Sequence, residues 1–255
     1  MGWSSVRKLL YFFRQLGFDP LRTITGLRFI PKFISSWFHF LWKNNFRSSW
    51  RLSPVLNDFS SQAGSADGHY FWQDLICATW IHESAPKKHL DVGSRIDGFL
   101  AHLLSFRAVT LVDVRPFSAK IPGLTVVIGD AQSNLVGHLG KYDSVSSLHC
   151  IEHFGLGRYR DPLDKDGHIK GLRHISECVE SKGSFFVSFP IGEEKVEFNE
   201  QRIIDPEWPL PQLTDFKLKE FVLIPWRGEP VYGLQPSEVD RKIKGQAGLY
   251  WFERN

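Results

Sequence analysis

Sulfur is scarce in this sequence. Three cysteines (Cys77, Cys150 and Cys178) and one methionine are spread over 255 residues. No C-x-x-C pair or Cys/His zinc spacing occurs, and an odd cysteine count gives no disulfide framework. A reducing compartment is the plain expectation. Long apolar runs are also missing. The uncharged stretch from Phe33 to Trp42 falls well short of the roughly 20 apolar residues that span a bilayer. A secretory leader is not expected, because Arg14 interrupts the first apolar stripe where a compact h-region should lie. Internal repeats and low-complexity tracts are absent. Acid is nearly lacking from the first fifty residues, where Asp19 is the single carboxylate.

What is present is ordinary in bulk and uneven in distribution. The length suits one sizeable core with an appendage. Hydrophobic residues make up 42% and charged residues 23%, as in soluble globular proteins. The aromatic share of 14%, with nine tryptophans, is high. The net charge of +3 conceals a basic N-terminal block: Arg7, Lys8, Arg14, Arg22, Arg28, Lys32, Lys43 and Arg47 stand against Asp19. The remainder is slightly acidic and carries no Lys/Arg stripe, so nucleic acid is not an expected partner.

Two helical stripes run through the basic block. Val6, Leu9, Leu10, Phe13 and Leu16 follow i, i+3, i+4, i+7 spacing. Ile30, Phe33, Ile34, Trp37, Phe38 and Leu41 do the same behind Pro31. Gly17 and the Asp19–Pro20 pair separate them. Basic residues beside Trp and Phe on short amphipathic helices suit an anionic membrane surface. The other reading is that these helices cover the larger domain or join copies in a homo-oligomer. The expected division is a basic, aromatic-rich helical extension at 1–50 and an α/β domain at 51–255. The polar stretch from Arg51 to Gly68 reads as a linker. The expected location is cytoplasmic and peripheral to the inner membrane.

Beyond the linker, helical and extended patterns alternate. A helix is predicted from Asp67 to Glu83, with Leu75, Ile76 and Trp80 on its buried side. Strands are predicted at His89–Val92, Ala108–Val114, Leu124–Ile128, Tyr142–Leu148 and Gly183–Phe189, and helices at Gly98–Phe106 and His168–Glu180. Phe216–Ile224 and Leu249–Glu253 would close the sheet as an antiparallel edge pair. Such alternation implies a doubly wound, mainly parallel sheet with right-handed crossovers.

Sheets of that kind bind ligands beyond the carboxyl ends of their strands. Five features fall at such ends. Asp91 to Gly98 follows the first strand; Gly93 permits a tight turn and Gly98 close helix packing. Asp113, followed by Val114, ends the second strand, where an acid can accept both ribose hydroxyls of a nucleoside. Asp130 and Ala131 follow the third, and Asp130 can accept from an adenine amine. Leu148 to His153 follows the fourth and Pro190 to Gly192 the fifth. Singly, Asp91, Asp113 or Asp130 would more often be a turn or helix-capping acid.

In this order the pieces resemble class I S-adenosylmethionine-dependent methyltransferases, whose first motif is an acid followed by glycines in a strand–loop–helix. The Glu152–His153 pair and the segment Val179 to Pro190 are also similar to that family. The likeness runs from about Lys87 to Pro190. Phe198 to Pro206 resembles, more narrowly, a methyltransferase-like group of bacterial surface-polysaccharide clusters. The resemblance implies a Rossmann-like fold and S-adenosylmethionine as cofactor, contacted by Asp91, Gly93, Ser94, Arg95, Gly98, Asp113, Val114, Asp130, Ala131 and Leu148. It further implies an O-methyltransferase acting on a sugar or lipid-linked glycan. Arg95 and Asp97 stand where that family has its second and third glycines. Arg95 would either close over the methionine carboxylate or fill the cofactor's space.

Methyl transfer to a hydroxyl needs alignment and a base. His149 and His153, spaced i, i+4 after the fourth strand, are candidates; His153 is the expected base, with Glu152 orienting it or binding the acceptor. Glu193, Asn199 and Arg202 are candidate acceptor contacts. No metal is required, though Asp161, Asp166 and His168 offer a low-ranked alternative; the loop lacks the acid that a calcium loop carries at its twelfth position. Two other functions compete. One is a nicotinamide-dependent oxidoreductase, opposed by Arg95 where G-x-G-x-x-G needs glycine. The other is a scaffold that kept the fold and lost the cofactor.

Overall fold

The computed structural model describes residues 9–14, 16–43, 51–59 and 63–255. The chain divides into two compact units, Met1–Ser65 and Ala66–Asn255. The division falls beyond the expected boundary after residue 50, because part of the polar stretch packs on the first unit. Phe59 stacks on Phe29 with ring centroids 5.4 Å apart, and the Lys32 ammonium lies 4.8 Å over the Phe59 ring.

In the first unit, residues 9–14 are helical, and Val6 of the predicted stripe lies outside the described residues. Helix α1 spans Pro20–Leu27 and α2 spans Ile30–Lys43. Pro20 opens α1, and the Asp19 carboxylate accepts the Leu21 and Arg22 N–H groups at 3.1 Å each, satisfying donors that a helix start leaves unpaired. Helix α2 has no buried residue. Its predicted stripe remains half-buried at Phe33 and Trp37 and exposed at Ile34 and Phe38.

The second unit is built on an eight-stranded sheet. Its strands are β1 (His89–Val92), β2 (Val109–Asp113), β3 (Leu124–Ile128), β4 (Tyr142–Leu148), β5 (Val179–Ile191), β8 (Phe216–Pro225), β9 (Val231–Tyr232) and β10 (Gln246–Arg254). They lie in the order β3-β2-β1-β4-β5-β10-β8-β9. The first five are parallel; β10 runs antiparallel between β5 and β8. The predicted terminal pair is therefore real, with the last strand inserted next to the parallel set. A separate hairpin of β6 (Lys195–Glu197) and β7 (Gln201–Ile203) was not expected from the sequence. This is the predicted doubly wound, Rossmann-like sheet with an antiparallel edge.

Both faces of the sheet are covered. Consecutive strand residues point to opposite sides, and β5 shows it: Phe185 and Val187 join one core cluster and Phe186 the other. Helix α3 (His69–Ser84) buries Ile76, Cys77, Trp80 and Ile81 on the Phe186 side. Leu75, expected on that stripe, is 43% exposed instead, because Gln73 and Asp74 take the buried positions at the start of the helix. After β1 the chain makes one π-helical turn, Ile96–Leu100, then α4 (Ala101–Leu104). A short α5 (Val136–Leu139) precedes β4. Helix α6 (Gly167–Glu177) packs Leu172 and Ile175 on the opposite face, and α7 spans Pro209–Gln212.

Phe186 is fully buried, stacked on Trp80 at 6.2 Å and tilted against Trp251 at 5.5 Å. Truncating it leaves a cavity that rigid β-strands cannot close. Phe186→Ala is expected to lower unfolding free energy by about 3–5 kcal/mol in urea denaturation. A loss below about 1 kcal/mol, the level of a surface change, would contradict this packing.

Candidate active site

The strand order reverses between β1 and β4, the position where a doubly wound sheet opens a crevice at its carboxyl edge. A cavity of about 540 Å³ lies there, within the usual size of small-molecule sites. Gly93, Ser94, Arg95, Asp113, Val114, Asp130, Ala131, Leu148, His149 and His153 all line it. The structure thus brings together residues from four of the five strand ends, while Pro190 to Gly192 after β5 line a neighbouring cavity.

Two of the expected cofactor contacts are not on its wall. The Asp91 carboxylate is fully buried beneath the loop. It accepts from Ser94 N (3.0 Å), Ser94 Oγ (2.8 Å) and Ser146 Oγ (2.5 Å). Burial raises its pKa to about 6 despite these donors. Asp91 therefore braces the loop. Gly98 acts in packing too: a Cβ there would sit 2.7 Å from the Asp74 carboxylate on α3. Gly93 has φ +73, and a Cβ would strike Cys150 Sγ at 2.2 Å, so both the turn and its contact require glycine.

Arg95 does not fill the cavity. It forms a bidentate pair with Asp97 at 3.1 and 2.8 Å, with both side chains largely exposed. The two residues that replace glycines partner each other on the rim, where the guanidinium also lies 5.7 Å over the Tyr70 ring. Asp113 is engaged by a second arginine: Arg115 holds it through Nε (2.9 Å), an Nη (2.5 Å) and its own backbone N–H (2.8 Å). This carboxylate raises the Arg115 pKa above its ordinary value. Arg115 also lies 4.9 Å over the Tyr159 ring, and Arg158 lies 5.3 Å from the same ring. The hydrogen bonds to Asp130, from Gln132 N and Nε2, both fall on Oδ1, which leaves Oδ2 for a donor in the cavity.

The fit to a nucleoside-bearing ligand is therefore good in volume, in the edge position and at Asp130. At Asp113, a ribose would share the carboxylate with Arg115 or displace it. Tyr70, Arg115 and Tyr159 escaped the sequence reading. Only Arg115 left a trace there, two residues beyond a strand-end acid.

His153 lines the cavity, and Glu152 is buried behind it. His153 Nδ1 lies 2.7 Å from the Glu200 carbonyl oxygen, which can only accept, and 3.3 Å from Arg158 Nη1, which can only donate; the shorter contact favours the proton on Nδ1. Its Nε2 is 3.8 Å from Glu152 Oε1. Burial, followed by the Arg158 charge, lowers the His153 pKa to about 4. Glu152 is fully buried, and neither carboxyl oxygen has a hydrogen-bond partner. Burial raises its pKa to about 8. Both groups are thus neutral at pH 7, and the expected base faces a protonated acid.

The remaining candidates divide. Glu193 lines a second cavity, of about 680 Å³, whereas Asn199 and Arg202 line neither. Asn199 forms the β6–β7 turn at φ +64. Arg202 is buried, donating to the carbonyls of Glu152, Phe154, Asp164 and Lys165, so it ties loops together and holds no acceptor. The Asp161 carboxylate accepts the N–H groups of Gly155 (2.8 Å) and Tyr159 (3.1 Å). His168 stacks on Trp208 at 5.3 Å. With Asp166 they form no metal cluster, and no group of three or more His, Cys, Asp or Glu suited to a metal occurs among the described residues.

A family model described as a Caenorhabditis protein of unknown function, DUF268, matches residues 103–207. No curated protein matches the sequence. Among solved structures, the chain is similar to the N-methyltransferase NodS from Bradyrhizobium japonicum in complex with S-adenosyl-L-homocysteine. The identity is 12% over 74% of this chain and 89% of that one, with a TM-score of 0.49. It is also similar to a 1,6-didemethyltoxoflavin-N1-methyltransferase from Burkholderia thailandensis (14% identity, 72% and 78% covered, TM-score 0.49). A third is an S-adenosylmethionine-dependent methyltransferase from Clostridium acetobutylicum (12%, 74% and 94%, TM-score 0.48). The fold assignment for this chain rests on the strand order and register given above.

A carboxyl group whose pKa rises on folding contributes stability below its unfolded value that is lost as pH climbs through the folded one. For Glu152 that window runs from about 4.5 to about 8. Glu152→Gln, which cannot ionise, is expected to match the parent in urea denaturation at pH 4.5. At pH 9 it should be more stable, on the order of a few kcal/mol. The same difference at both pH values would contradict a neutral buried Glu152.

Proposed function

We propose that the chain is an S-adenosylmethionine-dependent O-methyltransferase acting on a sugar or lipid-linked glycan. One observation carries this reading. The 540 Å³ cavity, with Asp113 and Asp130 at strand ends, abuts the 680 Å³ cavity, and the two share Tyr70 and His149 as their common wall. Group transfer needs two molecules held with their reacting atoms within contact distance, and two cavities meeting at one wall satisfy that need. When bound, S-adenosylmethionine supplies a methyl group on a sulfonium. Asp130 and Asp113 would hold its nucleoside, and Arg95 on the rim would meet its carboxylate.

The second cavity supports a polyhydroxylated acceptor. Trp226 lines it and is 56% exposed, a flat apolar surface against which the C–H face of a sugar ring can stack. Glu193 and Glu194 line it too, and carboxylates accept hydroxyl donors strongly. Isothermal titration with S-adenosylhomocysteine tests the cofactor. Binding to the full chain is expected, and Asp130→Ala should weaken it by about tenfold or more. No heat with the folded protein would refute the reading. It would favour the scaffold alternative, in which Arg115 keeps Asp113 for itself. Turnover of labelled S-adenosylmethionine with a panel of p-nitrophenyl glycosides tests the acceptor class.

The first unit supports action at an anionic membrane surface, on its cytoplasmic face. Phe12, Leu16, Ile24, Phe38 and Trp42 are exposed there, Trp42 at 90%, among basic side chains. Of the two acids among the described residues of this unit, Asp58 follows the helices and Asp19 is consumed as a helix cap and by Arg14 at 2.9 Å. Two copies so charged would repel, whereas acidic lipid would attract them. No helix among the described residues is long and apolar enough to cross a membrane, so the contact would lie in the interface plane. The full chain is expected to float with phosphatidylglycerol vesicles at low salt and much less with phosphatidylcholine alone. Equal flotation on both would contradict an electrostatic contact.

A further inference from the structure

Resting on the methyl-transfer reading, we infer that Gln73 and Ser188 are positioning residues. They hold His149 as its Nδ1–H tautomer, so that Nε2 takes the proton from a hydroxyl bound in the second cavity. The inference starts from a chain of buried hydrogen bonds reaching His149 from α3. Gln73 Nε2 donates to Asp74 Oδ1 at 3.1 Å, which turns Gln73 Oε1 the other way. Ser188 Oγ donates to that oxygen at 2.6 Å. With its proton so committed, Ser188 Oγ can only accept. It accepts the His149 backbone N–H at 3.2 Å, and His149 Nδ1 lies 3.1 Å away. Nδ1 must then be the protonated nitrogen.

The other ring nitrogen completes the case. His149 Nε2 is shielded from water and has no hydrogen-bond partner. A buried acceptor left unpaired costs free energy, and a donor arriving with a ligand would recover it. The ring belongs to the wall common to both cavities, packed between Tyr70 at 5.2 Å and His69 at 5.4 Å. The backbone holds it there at φ +46, a left-handed conformation that a β-substituted residue adopts at a cost. Burial keeps the imidazole neutral, well below its ordinary pKa. His153 differs in facing the buried Glu152 acid.

The step balances simply. The acceptor oxygen attacks the methyl carbon, and the new C–O bond forms as the C–S bond breaks. The sulfur keeps the electron pair and becomes a neutral thioether. The acceptor's proton passes to His149 Nε2, and the imidazolium gives it up to a water admitted as the product leaves.

Long-range proton–nitrogen NMR of the histidine-labelled full chain at pH 7 tests the relay, with His149→Asn assigning the signal. Asn tolerates the left-handed backbone. An unprotonated Nε2 and protonated Nδ1 are expected in the parent, with mixed tautomers in Ser188→Ala and the parent pattern retained in Ser188→Thr. A protonated Nε2 in the parent would overturn the inference, since it requires Gln73 reversed against a protonated Asp74. In the glycoside assay, His149→Asn should lower kcat about 100-fold or more, leaving KM for S-adenosylmethionine within about twofold. A kcat within about threefold of the parent would overturn the base role. Failure of S-adenosylhomocysteine to bind while the tautomer holds would remove the methyl-transfer reading and leave the relay standing.

Discussion

The carboxylate of Asp91 joins the two halves of the sheet at the point where the strand order reverses. It is fully buried, and its three hydrogen bonds come from the loop after β1 and from β4. Ser146 is also 3.0 Å from His89 Nε2, and Ser94 Oγ accepts the Leu148 N–H at 3.3 Å. A polar network so far from water stabilises only when its members are paired. Here the pairing fixes where Gly93 turns and where β4 ends. The crevice above Asp91 is thus held open by a residue that does not touch it.

Charge on the crevice rim is arranged in pairs. Arg95 is matched with Asp97 and Arg115 with Asp113, while Tyr159 lies beside both Arg115 and Arg158. Each carboxylate holds the donors of its arginine in a fixed orientation. Behind them, Glu152 and His153 are both neutral through burial. The crevice thus combines ionised pairs with neutral, buried polar groups. The second cavity continues along the same carboxyl edge, bounded by the β6–β7 hairpin and the segment before β10.

Much of this was legible in the residues alone. The runs His89–Val92, Leu124–Ile128 and Tyr142–Leu148 coincide with strands, because alternating or continuous apolar runs bounded by turn residues have few other ways to be buried. The strand-end acids Asp113 and Asp130 were found for a related reason: topology puts every parallel strand's carboxyl end on one edge. Their partners were not legible. Gln73 and Ser188 are separated by 115 residues, and nothing in either local pattern announces the other. The roles of Asp91 and Arg202 were misjudged for the same cause. A charged residue near a glycine loop or a candidate acceptor segment looks alike in sequence whether it faces the ligand or the protein.

The sequence by itself determined the order of elements, the doubly wound architecture and the set of strand ends from which a site must be drawn. These follow from local propensity and hydrophobic period, which act over a few residues. Tertiary structure alone decided that Arg95 and Asp97 pair on the cavity rim, that Glu152 is buried without a hydrogen-bond partner, and that a second cavity meets the first at His149. Each depends on what distant segments place against a side chain. Burial and partners, which set protonation and reach, are properties of that packing.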